Sequence, residues 1–260
     1  MKKWLRSVVA MSAILGFAFP AAAADWGSLS GKFVYEGTAP KPKPLAITKD
    51  NQVCDQFKDE IVEQQLLIGE ENALTNVFVY LRVPAGKTIA IHEDHKKAAE
   101  KPAVIENFHC MFYPHCVGVW AKEQKVFVKN RDPLPQVVKV DCVKNTSINL
   151  TMAIDGEVLH TFPLGERLPA SVTCGIHPWE SAWLLVSETP YFAVTDKNGE
   201  FKIQNIPAGE WEFQLWHEKA GYLVAKPDWK SGRFKQVIKA GDNSIGTIKV
   251  KAETLASSKK

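Results

Sequence analysis

Short stretches of alternating apolar and polar residues recur along most of the chain, and this pattern constrains the fold most strongly. Glycine, proline and asparagine lie between the stretches, and these residues favour turns. Short strands at this spacing are typical of a β-sandwich or a β-barrel. Helical periodicity is rare, and its best example is residues 55–67, which also fit a strand after a loop. We therefore predict an all-β fold.

The first 24 residues have the features of a secretory signal peptide. The basic start MKKWLR precedes SVVAMSAILGFAF, an apolar run that is too short to span a bilayer, and PAAAAD then supplies small residues for cleavage. We predict cleavage after Ala23 or Ala24 and a periplasmic or secreted mature protein. No later segment is apolar and long enough to cross a membrane, so we predict that the protein is not membrane-spanning.

The composition and the motifs argue against several functions. The formal net charge is +3, and no basic cluster alternates with aromatic residues, so we expect no nucleic-acid partner. The mixed charges of residues 92–102 predict a solvated loop or a short helix. The chain has no glycine-rich phosphate loop, haem-attachment motif or nucleophile elbow. No pair of acidic residues is marked for hydrolysis, and we expect no enzymatic activity.

The cysteine count predicts at least one free thiol. The chain has five cysteines, and an odd number in an oxidising compartment leaves one unpaired within the chain. We expect Cys174 to be the free one, because it alone has a potential metal ligand three residues on. The sequence does not assign the pairs. Our working hypothesis joins Cys54 to Cys110 and Cys116 to Cys142.

The C-terminal third predicts a second β unit that starts near Tyr191. The segment DKNGE has the composition of a hairpin turn, in which Gly199 can take the positive φ that such turns require. Strands predicted on both sides of this turn and near the C-terminus would form a small Greek-key-like sandwich. A unit of this size is marginally stable alone, so we expect it to dock on the first unit.

The segment CGIHPWE, residues 174–180, carries the strongest chemical signal. Copper sites for electron transfer use a soft thiolate, two imidazoles and a weak axial ligand. A Cys-x-x-His spacing supplies the thiolate and one imidazole from a single loop. The structural alternative is that Cys174 is half of a disulfide and that His177 packs against Trp179.

Two segments resemble a known family. FYPHCVGVWAKEQKVFVKNRDP resembles the first half of a cupredoxin domain, and CGIHPWE resembles its metal loop. The chain is also similar to exported bacterial proteins called methylamine-utilisation-like, in which a cupredoxin domain precedes a carboxypeptidase-regulatory-like domain. YFAVTDKNGEF and NIPAGEW carry the likeness to that second domain. The resemblance implies a cupredoxin-like Greek-key sandwich, a second small β-sandwich and a copper cofactor.

The sequence pattern and the resemblance together divide the chain into five parts. These are a signal peptide (1–24), an N-terminal β segment that packs on the core (25–75), a cupredoxin-like domain (76–189), a carboxypeptidase-regulatory-like β-sandwich (190–252) and a flexible tail (253–260).

The ligand positions of the family carry over one by one. Cys174 matches the thiolate, and His177 matches the histidine of the metal loop. Gln136 stands where the family has its first histidine, and Glu180 stands where it has the axial methionine. His115 is a candidate for the missing second imidazole. A glutamate oxygen is a hard ligand and favours Cu(II), or another divalent ion, over Cu(I).

These residues leave two hypotheses of different classes. In the first, the protein is an exported cupredoxin-like protein that binds copper or a related metal and serves electron transfer or copper handling, with a redox protein or a cell-envelope protein as partner. In the second, the copper site is lost, and the chain is a structural or binding module for a cell-envelope partner or a polysaccharide.

Overall fold

The computed structural model describes residues 25–84 and 86–256. The predicted signal peptide and the end of the predicted tail, residues 257–260, lie outside this range. Strands dominate the described residues, so the all-β prediction is confirmed. Within the same ranges, no helix has both the length and the apolar character needed to cross a membrane.

The strands form two groups in space and are numbered in chain order. The first nine are β1 (Trp26–Glu36), β2 (Phe78–Arg82), β3 (Ala103–Phe108), β4 (Met111–Tyr113), β5 (Cys116–Trp120), β6 (Val126–Asn130), β7 (Gln136–Asp141), β8 (Ile148–Met152) and β9 (Glu157–His160). The remaining eight are β10 (Ala170–Cys174), β11 (Ser181–Ser187), β12 (Phe192–Val194), β13 (Glu200–Pro207), β14 (Gly209–His217), β15 (Gly221–Tyr222), β16 (Arg233–Ile238) and β17 (Gly241–Lys251).

The helices are short. They are α1 (Asn51–Cys54), α2 (Glu93–Ala99) and α3 (Ala252–Ala256), with 3-10 turns at Asp55–Phe57, Glu70–Asn72 and Lys230–Gly232. Helix α2 lies in the mixed-charge stretch, where a short helix was one of the two predictions. The other helical candidate, residues 55–67, contains only a 3-10 turn and an isolated bridge at Val62.

The site sandwich, which we define as β3–β11, consists of two facing sheets. One has the strand order β5-β11-β10-β7-β8, and the other has the order β4-β3-β6-β9. Alternate residues of each strand point into the space between the sheets. On β7 these are Gln136, Val138 and Val140, and on β10 they include Val172 and Cys174. The alternation therefore places two polar candidates on the inner face of neighbouring strands.

The second sandwich consists of the first and last strands of the chain. One sheet has the order β13-β1-β17, and the other has the order β12-β2-β14-β15, with β16 paired to β14. Phe33, Phe201, Phe213 and Val250 are among the side chains that fill its core. At the turn between β12 and β13, Gly199 has φ 73° and its N–H donates to the carbonyl of Asp196, as the turn prediction requires.

The strand pairing differs from the predicted division of the chain at two strands. Strand β1 lies in the predicted N-terminal segment, yet it pairs with β13 and β17. Strand β2 lies within the predicted first domain, 76–189, yet it pairs with β12 and β14. Both strands are needed because β1 lies between β13 and β17 and β2 lies between β12 and β14, so each joins strands that do not pair with each other.

Strand β2 also joins the two sandwiches. Its residues are apolar on both faces: Val79 and Leu81 enter the core of the second sandwich, whereas Phe78 and Tyr80 face the site sandwich. There they form a smaller apolar cluster with Cys116, Leu185 and Trp216. The predicted docking of the two units is therefore present as a packed interface.

Candidate metal site

Two neighbouring antiparallel strands bring the first two candidate ligands together. Cys174 ends β10 and is opposite Val138 of β7, so Gln136, two residues before Val138, lies on the same inner face near the same end. The thiol of Cys174 donates to Oε1 of Gln136 over 3.0 Å. Cys174 is 5% exposed, and Gln136 is fully buried.

The loop between β10 and β11 supplies the other two candidate ligands, His177 and Glu180. It is closed by backbone hydrogen bonds from the N–H of Cys174 to the carbonyl of Glu180 and from the N–H of Glu180 to the carbonyl of His177. The N–H groups of Ile176 and His177 both point at Cys174 Sγ, at 3.4 Å. The loop thus turns the His177 and Glu180 side chains inward, and both are fully buried.

The donor atoms of these four residues, which we call the ligand cluster, surround a common point. His177 Nδ1 lies 3.5 Å from Cys174 Sγ, 2.9 Å from Gln136 Oε1 and 3.1 Å from Glu180 Oε1. Gln136 Nε2 donates to Glu180 Oε1 over 3.3 Å. The ligand atoms of Cys174, His177 and Glu180 all lie within 4.8 Å of one another, as the ligands of one ion do.

Buried polar side chains outside the ligand cluster form hydrogen bonds with Glu180 and Gln136. Asn107, on β3 of the opposite sheet, donates to Glu180 Oε2 over 2.5 Å. Asp132 accepts from Gln136 Nε2 at 2.9 Å and from the backbone N–H of Cys110 at 3.1 Å. Within the described residues, Asn107 Oδ1 is buried without a hydrogen-bond partner.

The outer side of His177 is closed by residues 43–63, which we call the cover segment. Its two ends pair through hydrogen bonds between Glu63 N–H and the carbonyl of Lys43 and between Leu45 N–H and the carbonyl of Ile61. Between these paired ends, the segment carries Asp50, whose Oδ2 atom lies 2.9 Å from His177 Nε2. Both ring nitrogens of His177 therefore have partners.

The cover segment is anchored beside the cluster by a disulfide. Cys54 is bonded to Cys110, which confirms this predicted pair. The carbonyl of Cys110 accepts from Trp179 Nε1 at 3.1 Å, and the Trp179 ring lies 5.1 Å from the His177 ring. Trp179 therefore packs beside His177, as the structural alternative predicts, whereas the disulfide of Cys174 that the same alternative requires is not formed.

Burial and hydrogen bonding shift the pKa values of the cluster in opposite senses. Burial acts to lower the pKa of His177, but hydrogen bonds with Cys174, Glu180 and Asp50 outweigh it and raise the pKa to about 10. Burial acts to raise the pKa of the Cys174 thiol, but its bonds with His177 and the backbone outweigh it and lower the pKa. Burial raises the pKa of Glu180 and that of Asp132.

The remaining cysteine predictions have mixed outcomes. Cys174 is free, as expected. The predicted pair of Cys116 and Cys142 is wrong, because both residues are free. In their sheet, β11 and β10 lie between β5, which carries Cys116, and β7, which ends just before Cys142. Three strand spacings amount to about 14 Å, which is beyond the reach of a disulfide.

His115 does not belong to the ligand cluster. Its Nδ1 lies 3.1 Å from the carbonyl of Ser181, and its Nε2 lies 2.6 Å from Glu218 Oε2. Both side chains of this His–Glu pair are almost fully buried at the junction of the two sandwiches. The structure therefore gives His115 a role in joining the sandwiches, and the second imidazole expected from the resemblance is missing from the cluster.

Sequence reasoning did not identify Asp50, Asn107 or Asp132 as parts of the site. The inward position of Asn107 follows from the alternation on β3, where Ile105 and Asn107 are the buried residues. Asp132 lies four residues before Gln136, so its proximity in sequence could have indicated a contact between the two side chains. Nothing in the local pattern around Asp50 indicates that it reaches a histidine 127 residues away.

Comparisons with known proteins give similarities of fold only. No family model matches the chain, and no curated protein matches it significantly. Among solved structures, the chain is similar to a mutant amicyanin in the Cu(I) form, with 16% identity over 33% of this chain and 82% of that one and a TM-score of 0.30. A purple cupredoxin from Nitrosopumilus maritimus has 18% identity over 33% of this chain and 99% of that one, with a TM-score of 0.28.

A copper-containing nitrite reductase from Thermus scotoductus SA-01 is also similar, with 15% identity over 42% of this chain, 25% of that one and a TM-score of 0.30. The fold and the cluster themselves define an all-β protein with a buried thiol, imidazole, carboxylate and amide around one point.

Proposed function

We propose that this protein binds one copper ion through Cys174, His177, Glu180 and Gln136. The observation that carries the proposal is the convergence of four donor atoms from β7, β10 and the loop between β10 and β11. A thiolate and an imidazole are preferred copper ligands, and the carboxylate adds a second negative charge to balance a divalent cation. The donor set therefore fits copper.

The two oxygen donors favour the oxidised metal. A bound copper ion would supply one-electron redox chemistry, and Cys174 and His177 would be its strong ligands. Glu180 and Gln136 would contribute hard oxygen atoms, which stabilise Cu(II) relative to Cu(I). His177 is fully buried, and its outer nitrogen contacts Asp50, so no edge of the ring is open to a partner. These features support copper handling better than rapid electron transfer.

The same proposal includes the cellular setting. The signal-like N-terminus and the disulfide between Cys54 and Cys110 support a periplasmic or secreted protein, because disulfides persist in oxidising compartments. A cell-envelope or redox protein would be the partner. The second sandwich would be an accessory domain of the carboxypeptidase-regulatory-like kind, and the protein would have a binding role without substrate chemistry.

Metal titration tests the proposal. Metal-free protein titrated with Cu(II) is expected to bind one equivalent and to develop visible absorption from charge transfer between thiolate and copper. Cys174→Ser should lose this absorption. Cys142→Ser is the matched control, since it removes another free thiol that is not in the cluster, and it should keep the absorption. Absence of copper binding by the wild-type protein would contradict the proposal.

One observation favours the second candidate function, a structural or binding module without metal. The cluster satisfies its own hydrogen bonds, because Glu180 accepts from Asn107 and Gln136 and pairs with His177. Such a network can stabilise the sandwich alone. Under this alternative, Cu(II) would leave the melting temperature unchanged, and the protein purified from its source would contain no stoichiometric metal.

A further inference from the structure

The contact between Asp50 and His177 joins an exposed carboxylate to a buried imidazole. His177 is fully buried, whereas the Asp50 side chain is 42% exposed, and the two atoms lie 2.9 Å apart. The carboxylate thus reaches inward from the protein surface to the one ring nitrogen that does not face the cluster. The opposite nitrogen, Nδ1, faces Cys174, Gln136 and Glu180.

The backbone conformation around Asp50 is held by hydrogen bonds and by a nearby disulfide. Asp50 has φ 53° and ψ 35°, a left-handed conformation that costs free energy for a residue other than glycine. Its carbonyl accepts from the N–H groups of Val53 and Cys54 at 2.9 and 3.0 Å. Cys54 is in turn bonded to Cys110. The turn that carries the carboxylate is therefore tied covalently to the site sandwich.

Side chains of the cover segment add further anchors. The Phe57 ring stacks on the His109 ring with centroids 3.9 Å apart, and Glu60 lies 2.8 Å from His109 Nδ1. Apolar residues of the segment pack with Trp179 in a small core of their own. These contacts hold the segment over the ligand cluster without any contribution from Asp50.

We propose that Asp50 is a positioning residue of the metal site, which accepts a hydrogen bond from His177 Nε2–H and so directs Nδ1 toward the metal. The inference rests on the proposed function. A histidine ligand binds through one nitrogen, and the hydrogen bond made by the other nitrogen selects the tautomer and orients the ring. In this protein the carboxylate that does so comes from a separate, disulfide-anchored segment.

The experiment compares Asp50→Ala and Asp50→Asn with Asp59→Ala. Asp59 is an exposed residue of the same cover segment, so its loss controls for the removal of one surface charge. The first readout is the slowly exchanging Nε2–H signal of His177 in metal-free, ¹⁵N-histidine-labelled protein. The second is the rate at which iodoacetamide modifies Cys174, mapped by mass spectrometry. The third is Cu(II) affinity.

The expected results differ among the variants. Asp50→Ala should lose the protected N–H signal, speed the modification of Cys174 severalfold and weaken Cu(II) binding by about 10-fold, the lower end for loss of such a hydrogen bond. Asp50→Asn keeps an acceptor oxygen and should retain the N–H signal. Asp59→Ala should match the wild type in all three readouts.

Failure of the inference and failure of the proposed function can be told apart. If the wild type binds no copper, the proposed function fails, while the first two readouts still test how His177 is held. If the wild type binds copper but Asp50→Ala behaves as Asp59→Ala does, the inference is overturned and the proposed function stands. A melting temperature for each variant identifies any that does not fold. If Asp50→Ala does not fold, Asp50→Asn gives the test: retention of the Nε2–H signal supports the inference, and its loss in the folded variant overturns it.

Discussion

The Sγ atom of Cys174 lies 3.0 Å from the Oε1 atom of Gln136, although 38 residues separate them in the chain. The register of β7 and β10 produces this contact, because Cys174 is opposite Val138 and the inward side of each strand recurs every second residue. Gln136 therefore occupies the place where a histidine would complete a thiolate and two-imidazole set.

Gln136→His is expected to strengthen the proposed copper site. The variant would replace an amide oxygen with a second imidazole, which is a better ligand for copper. We expect tighter Cu(II) binding and more intense visible absorption, measured by titration and absorption spectroscopy. Lys139→His is the control, because residue 139 points away from the sandwich core. An equal gain in both variants would show that the new histidine does not act at the cluster.

Glu180→Met is expected to destabilise the metal-free protein and to shift its preference toward Cu(I). The change removes the acceptor of the buried Asn107 amide, at a cost of about 1–3 kcal/mol in the free energy of unfolding. The Gln136 amide loses its bond to Glu180 but keeps Asp132 as an acceptor. The softer thioether favours Cu(I). Urea unfolding and a redox titration measure the two effects. Glu180→Gln, which keeps an acceptor oxygen, should lose less stability; equal losses would contradict this explanation.

His115→Ala is expected to weaken the junction of the sandwiches and to leave copper binding unchanged. The change removes the partner of the buried Glu218 carboxylate, and an unpaired buried charge costs about 3–5 kcal/mol. Chemical denaturation measures the loss, and Cu(II) titration of the folded variant measures affinity. A large fall in affinity would restore His115 as a ligand.

His217 is expected to make the fold less stable in acid. Burial lowers the pKa of His217 to about 4, below the value of about 6.5 in an unfolded chain. Between these values the unfolded state binds a proton that the folded state does not. Neutral His217 therefore contributes its full share to the free energy of unfolding above pH 6.5. This contribution is lost as the pH falls toward 4. The loss amounts to about 3 kcal/mol.

Denaturation of the wild type and of His217→Gln at pH 7 and pH 4.5 measures this contribution. Glutamine keeps an acceptor for the N–H of Lys219 and cannot take a proton in this range. The wild type should lose more stability than the variant between the two pH values. Parallel losses would assign the acid sensitivity to other groups.

The sequence pattern was sufficient for the strands of the site sandwich and for much of the cluster. The Cys-x-x-His spacing located the loop, and the resemblance to cupredoxins supplied Gln136 and Glu180 as candidates. The alternation along β7 and β10 explains why Gln136 and Cys174 face inward. Local patterns do not contain information about contacts between distant segments. For this reason the sequence did not reveal the contact of Asp50 with His177, or the position of His115 against Glu218 instead of beside Cys174.

The domain division was limited by the same cause. Strands β1 and β2 have ordinary strand patterns, and chain order suggested that they belong with the residues that follow them. Their partners lie more than 100 residues away, in β12–β14 and β17. Which strands β1 and β2 pair with depends on the strands of the C-terminal third, which local patterns around β1 and β2 do not describe.

The parallel pairing of β1 with β17 has a consequence for the order of assembly during synthesis. Strand β1 emerges from the ribosome early, but its partner is completed only when Lys251 has been added. All strands of the site sandwich lie between residues 103 and 187 and pair among themselves. The site sandwich can therefore form while the two ends of the polypeptide are still unjoined, and truncation after β16 would leave one edge of β1 open to pairing with other molecules.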